Sequence, residues 1–180
     1  MKMNANQSVL LVVDLQERML PHIQDSESVC SHTAWLMDIA HHLNVPVLMT
    51  EQYPKGLGLT VPALRARMKP ENILEKTHFS AVSEGNLLTH AQADRDQWVL
   101  VGTETHVCVQ QTALDLIEQG KQVYLVQEAV TSRKAHDKNL ALSRLQALGA
   151  QLVSREMVAF EWLQKANTPE FRELLGKFIR

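Results

Sequence analysis

Short apolar runs that stop on a charged or reactive residue alternate with stretches of helical periodicity along this chain. The first run, SVLLVVD (8–14), is apolar from Val9 until Asp14, so a strand there has to be buried on both faces. Val45–Thr50, Ile73–Lys76, Trp98–Gly102, Gln122–Val126 and Gln151–Ser154 read as five more strands. Between them, Val29, Thr33, Leu36, Met37, Ala40 and Leu43 share one helical face. Val109, Thr112, Ala113, Leu116 and Ile117 share another. His136–Leu148 reads as a helix stopped by Gly149, and Ser83 is placed to cap a short helix carrying Leu87, Leu88 and Ala91. YPKGLGLTVP (53–62) is too rich in glycine and proline for a continuous element, and the tail after residue 154 is mostly helical. This alternation predicts an α/β fold: about six mostly parallel strands with helices on both faces. At 180 residues, with no repeat, linker or low-complexity tract, a single domain over 1–180 is expected.

Composition narrows the function classes. The chain is 45% hydrophobic, enough for a sizeable core, and no segment approaches the length of a membrane span. A formal net charge of -2 without a basic run argues against a nucleic-acid surface. The opening MKMNANQSVLLVVDLQ lacks the apolar region and cleavage site of a signal peptide. Two cysteines, Cys30 and Cys108, with no CxxC, suit a reducing cytoplasm rather than a disulfide framework or a zinc site.

In open parallel sheets, ligands bind beyond the carboxyl ends of the strands. Four reactive candidates fall there: Asp14, Glu51, Lys76 and Cys108. Asp14 suits a general base, or a cap for the turn that follows. Cys108 falls where a strand gives way to a helix. There, unpaired N–H groups and the helix dipole favour a thiolate, although a buried cysteine is also an ordinary small hydrophobe. Lys76 is either a solvated charge or, turned inward, a stabiliser of the other two. Cys30, on a helix face, is taken as structural. His106 lies two positions before Cys108, but sequence proximity does not make a dyad, and a pocket-lining role suits it better. His41 and His42 are adjacent and so point apart, which does not suit a shared metal. No glycine-rich dinucleotide turn follows the first strand, and neither a P-loop nor a GxSxG elbow occurs.

Asp14 in VVDLQ, Lys76 in EKTHFSA and Cys108 in GTETHVCVQQTALDL stand in the order of the Asp-Lys-Cys triad of the isochorismatase-like cysteine hydrolases, which this chain resembles over almost its whole length. TEQYPKGLGLTVP and REMVAFEWLQKANTPEFRELL look like the isochorismatase-domain-containing branch. The resemblance implies a Rossmann-like sheet in the order 3-2-1-4-5-6. It also implies a cis peptide between Thr103 and Glu104 that aims the backbone N–H of Glu104, with that of Cys108, at a developing oxyanion. It further implies a homo-oligomer acting on a small molecule with no cofactor. Metal-dependent nicotinamidases of the superfamily carry a DxH element after the second strand. Glu51-Gln52-Tyr53 stands there instead, so no metal is expected beyond weak binding at Glu51. Substrate-facing positions are expected at Gln16, Tyr53, Phe79, His106 and Val107, with Phe79 the strongest candidate for plain core.

The favoured reading is hydrolysis of a C–N bond in a small amide or imide through a thioester on Cys108. The alternatives are an isochorismatase-type vinyl ether hydrolase, with Asp14 as the proton donor, and a non-catalytic interaction protein on the same fold.

Overall fold

The computed structural model describes residues 1–179. Its six strands are β1 (Ser8–Val13), β2 (Val47–Gln52), β3 (Ile73–Lys76), β4 (Gln97–Thr103), β5 (Gln122–Thr131) and β6 (Gln151–Val153). They form one sheet in the order β3-β2-β1-β4-β5-β6, and every pairing is parallel. The helices are α1 (Ser26–His42), α2 (Pro54–Leu57), α3 (Pro62–Arg65), α4 (Gln110–Glu118), α5 (Ala135–Ala147), α6 (Arg155–Leu163) and α7 (Pro169–Lys177).

The apolar run of β1 serves two cores at once. Leu10 and Val12 pack on one face with Leu36, Met37 and Ile39 of α1, Trp162 of α6 and Leu174 of α7. Val9, Leu11 and Val13 pack on the other with Ala113 and Leu116 of α4 and Leu142 and Leu145 of α5. Alternate side chains of a strand point to opposite faces, so a strand covered on both sides has to be apolar throughout. The apolar C-terminal tail docks largely onto this body. Trp162 Nε1 donates to Ser8 Oγ (2.9 Å), and Trp35 Nε1 donates to the Phe178 carbonyl (2.6 Å).

Gly102 lets the two central strands close up just before the site. It has φ +119°, and a Cβ there would lie 2.1 Å from the Val13 carbonyl oxygen. Only glycine tolerates both the backbone angle and the approach.

Three boundaries depart from the periodicity. β2 runs from Val47 to Gln52 rather than from Val45 to Thr50, because Glu51 and Gln52, though polar, are buried at its carboxyl end. β5 continues past Val126 to Thr131 through an irregularity in its pairing with β4 opposite Leu100–Gly102. The helix expected after Ser83 does not form: residues 80–96 are a succession of turns and bends. Ser83 does not cap a helix. Its hydroxyl donates to Asp115 of α4 (2.7 Å), while Leu87 and Ala93 still reach the core.

Candidate active site

The carboxyl ends of β1, β2, β3 and β4 bring Asp14, Lys76 and Cys108 together. Asp14 follows β1 with φ 49° and is fully buried. Its Oδ2 accepts Lys76 Nζ (2.8 Å) and its Oδ1 accepts the Thr50 hydroxyl (2.7 Å). The Thr103 hydroxyl donates to the Asp14 carbonyl (2.8 Å), tying the end of β4 to the end of β1. Lys76, also buried, donates further to Gln52 Oε1 (2.6 Å) and to the carbonyls of His78 (3.2 Å) and Phe79 (3.0 Å). Gln52 is itself oriented, since its Nε2 donates to the Thr77 carbonyl (2.8 Å).

Cys108 sits in one wide turn, Thr105–Val109, between β4 and α4. The Val109 N–H closes it on the Glu104 carbonyl five residues back (3.1 Å), a geometry that recurs at functional sites. The peptide between Thr103 and Glu104 is cis. The Cys108 thiol lies near enough to both Asp14 and Lys76 for each to act on its proton. Burial pushes it up to about 12; the Asp14 charge adds to the rise and Lys76 opposes it. The expected resting thiolate is therefore corrected: in a dry pocket beside a carboxylate, desolvation outweighs the start of the helix, and the group rests as a thiol. Cys30, half-buried on α1, is likewise raised by burial, to about 11.

The other candidates divide. Tyr53 is exposed and lines a cavity of about 300 Å³ with Pro54, Lys55, Glu75, Lys76, Thr77 and Glu84. Phe79 is 53% exposed, so it is not core. Its carbonyl accepts from Lys76 (3.0 Å). Gln16 is buried and fully engaged by backbone, with Nε2 donating to the carbonyls of Gln52 (2.9 Å) and Gly58 (2.7 Å) and Oε1 accepting the Gln52 N–H (2.7 Å). It therefore clamps the 53–60 excursion rather than facing a ligand. His106 is half-buried and paired through Nδ1 with the Ser132 hydroxyl (2.9 Å), and Val107 packs with the Cys108 cluster. Glu51 does not join the site. Its carboxylate accepts the Thr60 N–H (2.8 Å) and Arg65 Nε (3.3 Å), on the face of β2 opposite Thr50 and Gln52, which leaves it poorly placed for even weak metal binding. Among the described residues, no three His, Cys, Asp or Glu side chains are grouped to hold a metal ion.

Several residues that shape the centre carry no motif: Thr50, Gln52, Thr103, Ser132, Arg133 (Nε to Glu104 Oε1, 2.6 Å) and Glu84. Glu84 is held at about 2 by the His78 N–H, the His78 imidazole and the Thr77 N–H. Its folded value lies below its ordinary 4.5, so the stability it contributes is complete above pH 4.5 and lost as pH falls toward 2. Urea midpoints measured across that window should fall for the parent protein and fall less steeply for Glu84→Gln.

An open parallel sheet of this order, with an ion pair and a thiol brought together beyond the carboxyl ends of β1, β3 and β4, defines a Rossmann-like α/β protein with its candidate site at the switch point. The Isochorismatase domain model matches residues 8–157, and the chain belongs to the isochorismatase family. It is 40% identical over 175 residues to isochorismatase domain-containing protein 2 of Danio rerio, covering 96% of this chain and 87% of that protein. It is 38% identical over 168 residues to isochorismatase domain-containing protein 2A of Mus musculus, covering 93% and 80%. Among solved structures, MAR1 ribonuclease from Caenorhabditis elegans superposes with a TM-score of 0.91 at 34% identity, over 100% of this chain and 93% of that one. The YcaC gene product of Escherichia coli, described as an octameric hydrolase of unknown specificity, shares the fold with a TM-score of 0.86 at 23% identity, over 99% and 96%.

Proposed function

We propose that the protein is a cysteine hydrolase that cleaves a C–N bond of a small amide or imide. The observation that carries this is a buried Asp14–Lys76 ion pair (2.8 Å) beside a buried Cys108 whose thiol feels the charge of both partners. A thiol beside a carboxylate is a nucleophile beside its base. Asp14 takes the thiol proton as sulfur attacks the carbonyl carbon. The backbone N–H groups of Glu104 and Cys108 receive the oxyanion. Asp14 returns the proton to the departing nitrogen, leaving a thioester on Cys108. Water then attacks the thioester with Asp14 as base again, which frees the acid and restores the thiol. Lys76 is the partner charge of Asp14 and offsets the charge that builds up as the proton moves.

Substrate enters by the cavity beside Lys76, with Tyr53 on its wall; Phe79, in the loop after Lys76, and His106 and Val107, just before Cys108, are the further substrate-facing positions. The ribonuclease name of the C. elegans relative suggests phosphodiester chemistry. Beside the thiol, Lys76 is engaged by Asp14, Gln52 and two carbonyls, so Lys55 on the cavity wall would be the lysine to meet a phosphate, away from the Asp14–Lys76 pair. Two unpaired cysteines suit the cytoplasm. Exposed Tyr53, Leu59, Phe79 and Phe160 suit a homo-oligomer, the state described for the E. coli neighbour.

Asp14→Asn tests this reading in a Cys30→Ser background. Asp14 raises the Cys108 thiol, so removing its charge should lower that pKa and speed alkylation by iodoacetamide at mildly alkaline pH by about tenfold or more. The same variant should lose turnover across a panel of small amides and imides. Unchanged alkylation with retained turnover would overturn the proposal.

A further inference from the structure

The loop after β3 is gripped from two sides. Lys76 Nζ reaches forward to the carbonyls of His78 (3.2 Å) and Phe79 (3.0 Å), so the chain curls around its own ammonium. Glu84 closes the curl from outside. Its Oε2 accepts the N–H groups of Thr77 (3.0 Å) and His78 (2.9 Å) and pairs with His78 Nδ1 (2.6 Å). The peptide joining Thr77 to His78 is thus held at both ends: its carbonyl accepts Gln52 Nε2 (2.8 Å) and its N–H donates to Glu84. Gln52 in turn accepts from Lys76 (2.6 Å). The far half of the loop is fastened to α4, the helix that follows Cys108. The hydroxyls of Ser80 and Ser83 donate to Asp115 Oδ2 (2.6 and 2.7 Å), and the Ala81 N–H donates to Thr112 Oγ1 (3.0 Å). A buried cation and an outer anion therefore stand on opposite sides of one short run of peptides, whose dipoles link them.

We propose that Glu84 is a positioning residue for Lys76. By fixing the 77–79 turn, its carboxylate fixes the carbonyls and the Gln52 amide that hold the ammonium against Asp14 and Cys108. The proposal rests on the Asp14–Lys76–Cys108 reading above. Glu84 makes no hydrogen bond to Asp14 and acts only through the loop. Without it, the Thr77 and His78 N–H groups lose their acceptor, the turn relaxes, and the ammonium withdraws from the thiol.

Two effects of removing Glu84 have opposite signs. Lys76 lowers the Cys108 thiol, so a displaced Lys76 raises it and slows alkylation. Loss of one negative charge, acting through space alone, would lower the thiol and speed alkylation. Methionine nearly matches glutamate in size but offers the N–H groups no carboxylate, so Glu84→Met removes their acceptor and leaves the mouth of the cavity about as open as before. The experiment compares iodoacetamide alkylation of Cys108 in the Cys30→Ser protein, its Asp14→Asn variant and its Glu84→Met variant, each checked by thermal unfolding. Glu84→Met is expected to alkylate about threefold or more slowly, a fraction of the tenfold that one pKa unit represents. Glu84→Asp, which keeps the charge but falls one methylene short, should lie between it and the parent. It carries the same test if the methionine variant does not fold. A rate equal to or faster than the parent's, with Asp14→Asn still accelerated, overturns the role of Glu84 alone. An Asp14→Asn rate equal to the parent's overturns the underlying triad.

Discussion

Cys108→Ala is expected to abolish amide and imide hydrolysis, lowering kcat by about 10⁶, as deletion of a covalent nucleophile does even when binding and oxyanion contacts remain. The fold should survive. The substitution removes one sulfur atom from an apolar cluster with Val109, Ala113 and Val130, at a stability cost of about 1 kcal/mol. Loss of rate without loss of structure distinguishes this from a packing defect. Mass spectrometry of the parent protein quenched during turnover should find an acyl adduct on Cys108, and the variant should show none. The same substitution separates the competing chemistries. A vinyl ether is cleaved by protonation, which needs Asp14 but no sulfur, so a Cys108→Ala protein that still turned over its substrate would point to that reaction. A Cys108 that forms no adduct with any amide tried, in a protein whose Asp14→Asn variant behaves like the parent, would favour the non-catalytic reading.

The sheet was legible because its strands are short and covered on both faces. Unbroken apolar runs such as VLLVV fit only a buried parallel strand when helical stretches separate them. The ends of strands were harder to read. β2 extends into Glu51 and Gln52, whose polarity marks a boundary only if water lies beyond, and here a polar site lies there instead. The segment 80–96 shows the opposite failure. Leu87 and Leu88 give it a helical look, but the chain there is arranged to bring the Ser80 and Ser83 hydroxyls to Asp115 and the Glu84 carboxylate to the Thr77 and His78 N–H groups.

At the site, the reactive atoms could be found and their supports could not. Asp14, Lys76 and Cys108 are unusual residues at the ends of strands, and their order along the chain carried the resemblance. Thr50 and Gln52 have common side chains whose role comes from geometry, although period-two alternation in TEQ does place them on one face and Glu51 on the other. Glu84 left no readable signal: its partners are backbone N–H groups brought round by a turn. The protonation state of Cys108 is hidden in the sequence for a related reason. The start of a helix can be inferred from sequence, but the desolvation that overrides it depends on how tightly β1, β4 and α4 close around the sulfur.

Lys76→Met is expected to destabilise the protein by about 3–5 kcal/mol, the usual effect of removing one partner from a buried ion pair. Methionine matches the length of the lysine stem and fills its space, so the loss is electrostatic rather than a cavity effect. Asp14 would be left with only the Thr50 hydroxyl on its carboxylate, and Gln52 Oε1 would lose its ammonium partner. The carbonyls of His78 and Phe79 would also lose their donor. Urea unfolding at neutral pH measures this directly. Adding Asp14→Asn to Lys76→Met should recover about 1–3 kcal/mol, because the second substitution removes the charge the first left stranded. A loss from Lys76→Met below about 1 kcal/mol would mean that water reaches Asp14. The carboxylate would then be too well solvated to serve as the base for a thiol as weakly acidic as Cys108, and the case for covalent catalysis would fail along with the ion pair.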